Sequence, residues 1–326
     1  MHLFRDVVLL ITHSGDFFTI DRVAQALLKR GAFPFRLDTD KFPQEVQLKA
    51  HLGEFGSNHT LKYDDYSISS ERVQAVWMRR IWHPQLSELA PHFRAACVRE
   101  SLATLEGFWD SLRNVRWVDN LQRINVAENK PYQLRVAQEV GLVIPQTLVT
   151  NLPGEAREFF HMVKGKMVAK LLTPLSYSME GSSFFLYTSA VQEKDLLEAD
   201  SLRYCPMVFQ EQIPKLRELR VVYVNENLFV GALDASKYEN NTVDWRDASS
   251  DTCVWEYHEL PDEIAIRIKM YMLRLGLTFG AFDFIQKPSG EYVFLELNPT
   301  GEWGMLERDL DYPISEAIAE ALLAKC

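Results

Sequence analysis

Residues 280–286 read Gly-Ala-Phe-Asp-Phe-Ile-Gln, and residues 291–299 read Glu-Tyr-Val-Phe-Leu-Glu-Leu-Asn-Pro. Between them lies Lys287-Pro288-Ser289-Gly290, with Pro at i+1 and Gly at i+3 of a β-turn. The two flanks are strand-like, so the segment predicts a hairpin. A turn centred between Ser289 and Gly290 sets Asp283 directly opposite Glu296. A centre one residue earlier sets Asp283 opposite Phe294, still on the face that Glu296 and Asn298 share by alternation. Two carboxylates and an amide on one face of an apolar hairpin repel one another and lose hydration unless something compensates them. A hard divalent cation such as Mg²⁺ does so, taking oxygen ligands and leaving positions for phosphate oxygens. A structural salt bridge or a solvated edge strand is the plain alternative. The neighbours Phe282, Phe284, Phe294, Leu295 and Leu297 argue against it.

Upstream of the hairpin, a helix over 261–275 is marked by Pro261 at its first position, Asp262 and Glu263 in the first turn, and Gly276 beyond the end. Downstream, Ile314, Ala317, Ile318, Ala321 and Leu322 form one helical face. Strands are expected over 207–212, 219–224 and 228–233, followed by a long polar stretch, 234–252. Further back, Asn129-Lys130-Pro131 opens a helix that Gly141 closes, with Pro131 at its first position. A short strand after Pro145, a helix over 156–163, a strand over 167–172, a polar loop over 176–183 and a strand over 184–187 follow.

The first 125 residues read differently. A buried strand over 7–12 ends in the turn His13-Ser14-Gly15-Asp16. A helix then carries Ile20, Val23, Ala24, Leu27 and Leu28 on one face, Gly31 ends it, and a strand over 32–37 completes a βαβ-like opening. No G-x-G-x-x-G is present, so the turn reads as an ordinary one at the sheet's C-terminal edge, with a substrate contact as the lesser alternative. The strand over 75–78 runs into Arg79-Arg80, which is either a solvated pair or a pair facing a carboxylate or phosphate.

Composition narrows the function classes. The chain has 326 residues, 47% hydrophobic and 25% charged, as an ordinary globular protein of about two domains has. Its net charge of −10 disfavours a non-specific grip on nucleic acid. Cys97, Cys205, Cys253 and Cys326 are scattered without a C-x-x-C pair, which reads as buried or incidental thiols rather than a disulfide framework or zinc site. No apolar run approaches the ~20 residues of a membrane span, and the opening lacks a signal-peptide pattern. The expected location is cytoplasmic.

Taken in order, several segments resemble the ATP-grasp superfamily over residues 126–326. Lys130 in Asn-Lys-Pro-Tyr-Gln-Leu is similar to a first phosphate-binding lysine, and Lys170 in the strand over 167–172 to a second. Phe209-Gln210-Glu211-Gln212-Ile213 resembles the hinge that reads adenine. Glu218 matches the position that holds ribose hydroxyls, and Arg220 one that reaches the terminal phosphate. Asp283, Glu296 and Asn298 match the magnesium ligands. The resemblance implies an α/β (α+β) ATP-grasp fold behind an N-terminal α/β pre-ATP-grasp domain: 1–125, a central subdomain 126–209, and a C-terminal subdomain 210–326 with the metal hairpin. It implies ATP and Mg²⁺ as cofactors, the metal as two ions.

Within the superfamily the chain is similar, over nearly its whole length, to the macrocyclases that mature microviridin-type ribosomal peptides. The features are the opening Val-Val-Leu-Leu-Ile-Thr-His-Ser, Phe35-Arg36-Leu37-Asp38-Thr39-Asp40-Lys41-Phe42-Pro43, Val76-Trp77-Met78-Arg79-Arg80, Tyr204-Cys205-Pro206-Met207-Val208-Phe209-Gln210-Glu211 and Asp244-Trp245-Arg246. This likeness implies a homodimer that activates Asp or Glu side chains of a precursor peptide as acyl phosphates. One branch then forms an ω-ester with Thr or Ser, the other an ω-amide (lactam) with Lys, and the expectation here is the amide. A carboxylate–amine ligase acting on small molecules or a protein terminus would use the same metal and nucleotide groups. A helical leader segment of the peptide is expected to dock near 184–202, where Glu193, Asp195, Glu198 and Asp200 either meet a leader arginine or form a solvated acidic face. Two departures stand out. The loop after Lys170 holds a single glycine, Gly181, where many ATP-grasp enzymes have a glycine-rich phosphate flap, and position 281 is Ala where some relatives carry an arginine for the acyl phosphate. Arg246 and Lys237 are then candidates to supply that charge, against the plain reading of a solvated loop. The implied catalytic groups are Lys170, Arg220 and Arg246.

Overall fold

The computed structural model describes residues 7–54, 56–172, 188–237 and 254–324. The expected loop over 176–183, the strand over 184–187 and the Asp244-Trp245-Arg246 segment lie outside them.

The opening forms a four-stranded parallel sheet in the order β2-β1-β6-β7. Its strands are β1 (Val7–Thr12), β2 (Phe33–Asp38), β6 (Val73–Met78) and β7 (Arg116–Val118). β1 is buried along its whole length, as its unbroken apolar run requires of a central parallel strand. Helix α1 (Phe18–Lys29) returns the chain to β2, with Ile20, Val23, Ala26 and Leu27 buried. Leu28, expected on that face, is 57% exposed. Strands β3 (Gln47–Gly53), β4 (Gly56–Tyr63) and β5 (Tyr66–Ser69) make a small antiparallel sheet before β6, and α2 (Pro91–Ser111) precedes β7.

Two short helices follow, α3 (Leu121–Ala127) and α4 (Lys130–Glu139), each opened by an Asn whose side chain accepts from the backbone N–H three residues on. Asn129 is the cap, so Lys130 opens α4 and Pro131 stands second rather than first. A second sheet runs β10-β9-β11-β8. It contains β8 (Thr147–Thr150), β9 (Met167–Lys170), β10 (Ser189–Ala190) and β11 (Met207–Glu211). Helix α5 (Pro153–Met162) and a 3-10 helix, Glu193–Tyr204, cover one face of it. β9 ends at Lys170, two residues earlier than its apolar pattern suggests.

The third sheet, β14-β13-β12-β15-β16, is antiparallel throughout. Its strands are β12 (Arg217–Val224), β13 (Asn227–Asp234), β14 (Glu256–Tyr257), β15 (Phe279–Gln286) and β16 (Tyr292–Asn298). Helix α6 (Asp262–Leu275) packs on one face, with Pro261 as its N-cap and Gly276 left-handed at φ 66° beyond its end. On the other face, Val222, Val224, Phe279 and Ala281 share a core with β1, β6, α1, α7 (Gly304–Leu310) and α8 (Ile314–Leu323). Asp119, after β7, accepts from the backbone N–H groups of Thr278 and Phe279 at 2.9–3.0 Å. Burial pushes its carboxyl up to about 6 against those hydrogen bonds. The first and third sheets are thereby joined at a strand end. Among the described residues no helix is long and apolar enough to cross a membrane. Cys205 is exposed and Cys97 half-buried, and both are free, so of the two readings, buried or incidental, these two thiols take the second.

Candidate active site

Of the two registers considered for the 280–299 hairpin, the one that sets Asp283 opposite Glu296 occurs beyond a bulge, and the pairs near the turn follow a third, one residue out from it. Near the turn, Gln286 faces Tyr292, Ile285 faces Val293 and Phe284 faces Phe294; beyond a bulge, Asp283 faces Glu296. The extra residue is Leu295. Without the bulge, Asp283 would stand opposite Leu295, and Glu296 would point to the core face. The bulge therefore sets both carboxylates on one side, while Phe282, Phe284, Phe294 and Leu297 stay in the core with α6. Alternation along β12 adds Glu218 and Arg220 to the polar side, and Arg220 is the cross-strand neighbour of Asp283. One end of this face is core and the other is polar.

Charge compensation at the polar end is local. Arg220 Nη1 donates to Asp283 Oδ1 at 2.7 Å, Asn298 Nδ2 to Asp283 Oδ2 at 3.3 Å, and Lys130 Nζ to Glu296 Oε2 at 2.6 Å. Lys130 reaches Glu296 because α4 is clamped to β16 one turn further on. The buried Gln133 side chain donates to the Leu297 carbonyl at 2.8 Å and accepts from the Leu297 N–H at 2.9 Å. Among the described residues no group of three His, Cys, Asp or Glu side chains stands together as a metal site. The oxygen donors here are two carboxylates and one side-chain amide.

The second and third sheets face each other across an open cleft. Lys170 from β9, Glu211 from β11, Gln212 and Ile213 after it, Glu218 from β12, Asp283 and Glu296 all line it. Antiparallel pairing explains the near wall: Lys170 faces Val208 and Val168 faces Gln210, which leaves Met167, Ala169 and Phe209 for the core under α5. Lys130 lines an adjoining cavity with Lys170 and Glu296. Arg220 and Asn298 join the cleft through Asp283. Thus the expected site residues within the described residues, Lys237 excepted, converge here. Arg246 lies outside them. Lys237 does not converge, pairing instead with Glu256 at 3.0 Å.

Lys215 and Trp255 also line the cleft and were missed from the sequence. Lys215 Nζ donates to Glu218 Oε1 at 2.6 Å, and its spacing of three from Glu218 was the available signal. Nothing local marks Trp255. In the segment expected to meet a leader, the Asp195 side chain accepts from the Gln192 N–H at 2.8 Å and Asp200 lies 3.5 Å from Arg157, whereas Glu193 and Glu198 are exposed.

The Ala at position 281 now has a steric reason. Ala281 is fully buried opposite Asn298, and a Cβ added to Gly301 would stand 2.5 Å from the Ala281 Cβ and 2.9 Å from the Asn298 Cβ. No arginine fits there. Gly301→Ala is therefore expected to displace Asn298 and lower kcat by about 10²-fold, the effect of an ångström-scale misplacement. A wild-type kcat for that variant would refute the close approach.

The model of the MvdD pre-ATP-grasp domain matches residues 7–125. No curated protein matches the chain. Among solved structures it is similar to the macrocyclase MdnB from Microcystis aeruginosa MRC, with 60% identity and a TM-score of 0.85 over 98% of this chain and 100% of that one. It is also similar to macrocyclase MdnC from the same organism, solved with precursor peptide MdnA, at 32% identity and TM-score 0.88 over 98% and 100%. A third similar structure is a RiPP-associated ATP-grasp ligase from Chryseobacterium gregarium, solved with ADP, a leader and a core peptide, at 32% identity and TM-score 0.90 over 98% and 97%. The chain belongs to the ATP-grasp macrocyclase family, the microviridin-type (graspetide) ligases, and is an ATP-dependent carboxylate ligase.

Proposed function

We propose that this protein closes rings in a ribosomal precursor peptide by activating Asp or Glu side chains with ATP and joining each to a Lys amine as an ω-amide. The observation that carries the reading is the convergence of Lys130, Lys170, Arg220, Asp283, Glu296 and Asn298 on one cleft. The likeness to macrocyclases supports a peptide substrate. The same reading divides the chain into 1–125, 126–209 and 210–326, and places it in the cytoplasm as a homodimer.

In this reading the backbone from Glu211 to Ile213 meets adenine, Glu218 the ribose, and Lys130 and Lys170 the phosphates. Asp283, Glu296 and the Asn298 amide oxygen suit Mg²⁺, being hard oxygen donors, and the Lys130 and Arg220 contacts to the two carboxylates are exchangeable. When bound, the metal, as two ions, supplies positive charge to the phosphate oxygens. A peptide carboxylate oxygen attacks the γ-phosphorus, the bond to the β-phosphate oxygen breaks, and ADP leaves. Lys170 and Arg220 offset the charge that spreads over the transferring group. The amine then attacks the acyl carbon, phosphate departs, and the amine proton is lost. A free Lys amine has a pKa of about 10.4, so it must reach the site deprotonated or desolvated. Ile213, Leu295 and Trp255 give the cleft apolar walls, and once formed the acyl phosphate must be kept from water that would hydrolyse it. The leader segment is assigned to the 184–202 region.

Mass spectrometry of a microviridin-type precursor treated with ATP, Mg²⁺ and the protein tests this. Each ring removes one water. A Lys→Ala precursor is expected to lose a ring, and a Thr→Ala precursor to keep it. The reverse pattern assigns the ester, and a gain in mass overturns cyclisation.

A further inference from the structure

We infer that the crevice between the C-terminal ends of β1 and β6 is a second substrate contact, an anion subsite in which Arg80 and His13 hold a side-chain carboxylate of the peptide. The inference rests on the reading above for the identity of the peptide, and on geometry for the subsite.

In the order β2-β1-β6-β7, the chain leaves β1 toward β2 on one side and later returns to β6 on the other. Ligands of open parallel sheets sit beyond the strand ends at such a reversal. The residues there are His13 to Asp16 after β1, and Arg79 to Trp82 after β6. The turn is held rigidly. Arg36 Nη2 donates to the carbonyls of His13 and Asp16 at 3.0 and 2.8 Å, and the Ser14 N–H and hydroxyl donate to Asp40 at 2.8 and 2.5 Å.

The two arginines divide. Arg79 is 1% exposed and fully engaged, donating to Glu302 and the Thr300 carbonyl. Arg80 is half-buried, yet among the described residues its guanidinium has no hydrogen-bond or ion-pair partner. A half-buried guanidinium without an anion is an incomplete arrangement, and its fork matches a carboxylate. His13 supplies a second donor. Its ring stacks on Trp82, centroids 3.6 Å apart and planes 6° apart, and its Nδ1 accepts from the Gly15 N–H at 3.1 Å. The ring proton is thus assigned to Nε2. Burial lowers the His13 pKa, and Arg80 lowers it further against Asp16 and Asp40, so the ring stays a neutral donor near pH 7. The crevice adjoins the reacting end of the cleft: Thr300 and Glu302, bound by Arg79, follow Asn298 directly in the chain.

The test has two arms. In the first, the His13 ring resonances, assigned with His13→Gln, are followed by NMR as glutarate is added. Glutarate is expected to shift them and its diamide is not, and Arg80→Gln is expected to weaken glutarate binding at least about tenfold, the loss of one charge-assisted contact. In the second, Arg80→Gln is expected to raise the KM for the precursor by a similar factor while leaving ADP affinity unchanged. An Arg80→Gln protein that binds glutarate like wild type, or keeps the wild-type KM, overturns the subsite. If the wild type cyclises no precursor, the functional reading fails and the glutarate arm still decides the subsite.

Discussion

Replacing Glu296 with Gln is expected to abolish ring formation while the chain remains folded. Glutamine keeps the shape of the side chain and an acceptor for Lys130, which now sits 2.6 Å from the carboxylate. It removes the negative charge that a hard cation requires. The pair is partly exposed, with 15% of the Glu296 side chain and 25% of the Lys130 side chain accessible, so its loss costs the fold only on the order of 1 kcal/mol. The expected fall in kcat is about 10³-fold, that of removing one preorganised charge from the reacting phosphoryl group, with a higher Mg²⁺ requirement for whatever rate remains. ADP release and product mass measure the first, and a thermal melt measures the second half of the claim. Wild-type turnover in Glu296→Gln would refute the metal assignment, whereas an unfolded variant would point to a structural salt bridge.

Features written in local chemistry were legible before the structure. Asn129 before Lys130-Pro131 announces a helix start, and Gly276 after an amphipathic run announces a helix end. Alternation alone predicts that Glu296 and Asn298 share a face. What strand periodicity leaves open is register, because one inserted residue exchanges the two faces. Here Leu295 is that residue. Other features depend on partners far away in the chain. Arg79 and Arg80 are indistinguishable as adjacent cations in sequence; they differ because a loop more than two hundred positions later closes over Arg79 alone. Gln133 reads as an ordinary helical glutamine until β16 brings the Leu297 backbone to it. Position 281 is similar: an alanine there reads as a missing arginine until Gly301 is found resting on it.

Arg79→Met should give the largest loss of stability. The guanidinium is 1% exposed and ties three segments together: Asp16, 3.7 Å away at the end of the first turn, the Thr300 carbonyl, and Glu302 at 2.5 Å. Removing the guanidinium leaves the buried Asp16 carboxylate without compensation, which for a buried pair typically costs about 3–5 kcal/mol, while Glu302, 42% exposed, is taken up by water. Lysine should recover only part of this, since a single ammonium cannot reach all of these acceptors at once. The pH dependence adds a second signature. Burial pushes the Asp16 carboxyl up, but Arg79 and the hydroxyls of Thr12 and Thr19 outweigh it and leave the group below its usual value. In the wild type Asp16 therefore contributes stability above its unfolded pKa that is lost as the pH falls through its folded one. Without Arg79 the burial effect is expected to dominate and raise the folded pKa, so the contribution is present in acid and lost as the pH rises. The deficit of Arg79→Met measured by denaturant unfolding should thus be greatest near neutral pH and shrink toward pH 4. A deficit that does not change with pH would show that the loss is one of packing rather than of charge. Because Thr300 and Glu302 follow Asn298, the variant should also lower kcat more than it raises the KM for nucleotide, as expected of a residue that positions the loop after Asn298 without touching substrate.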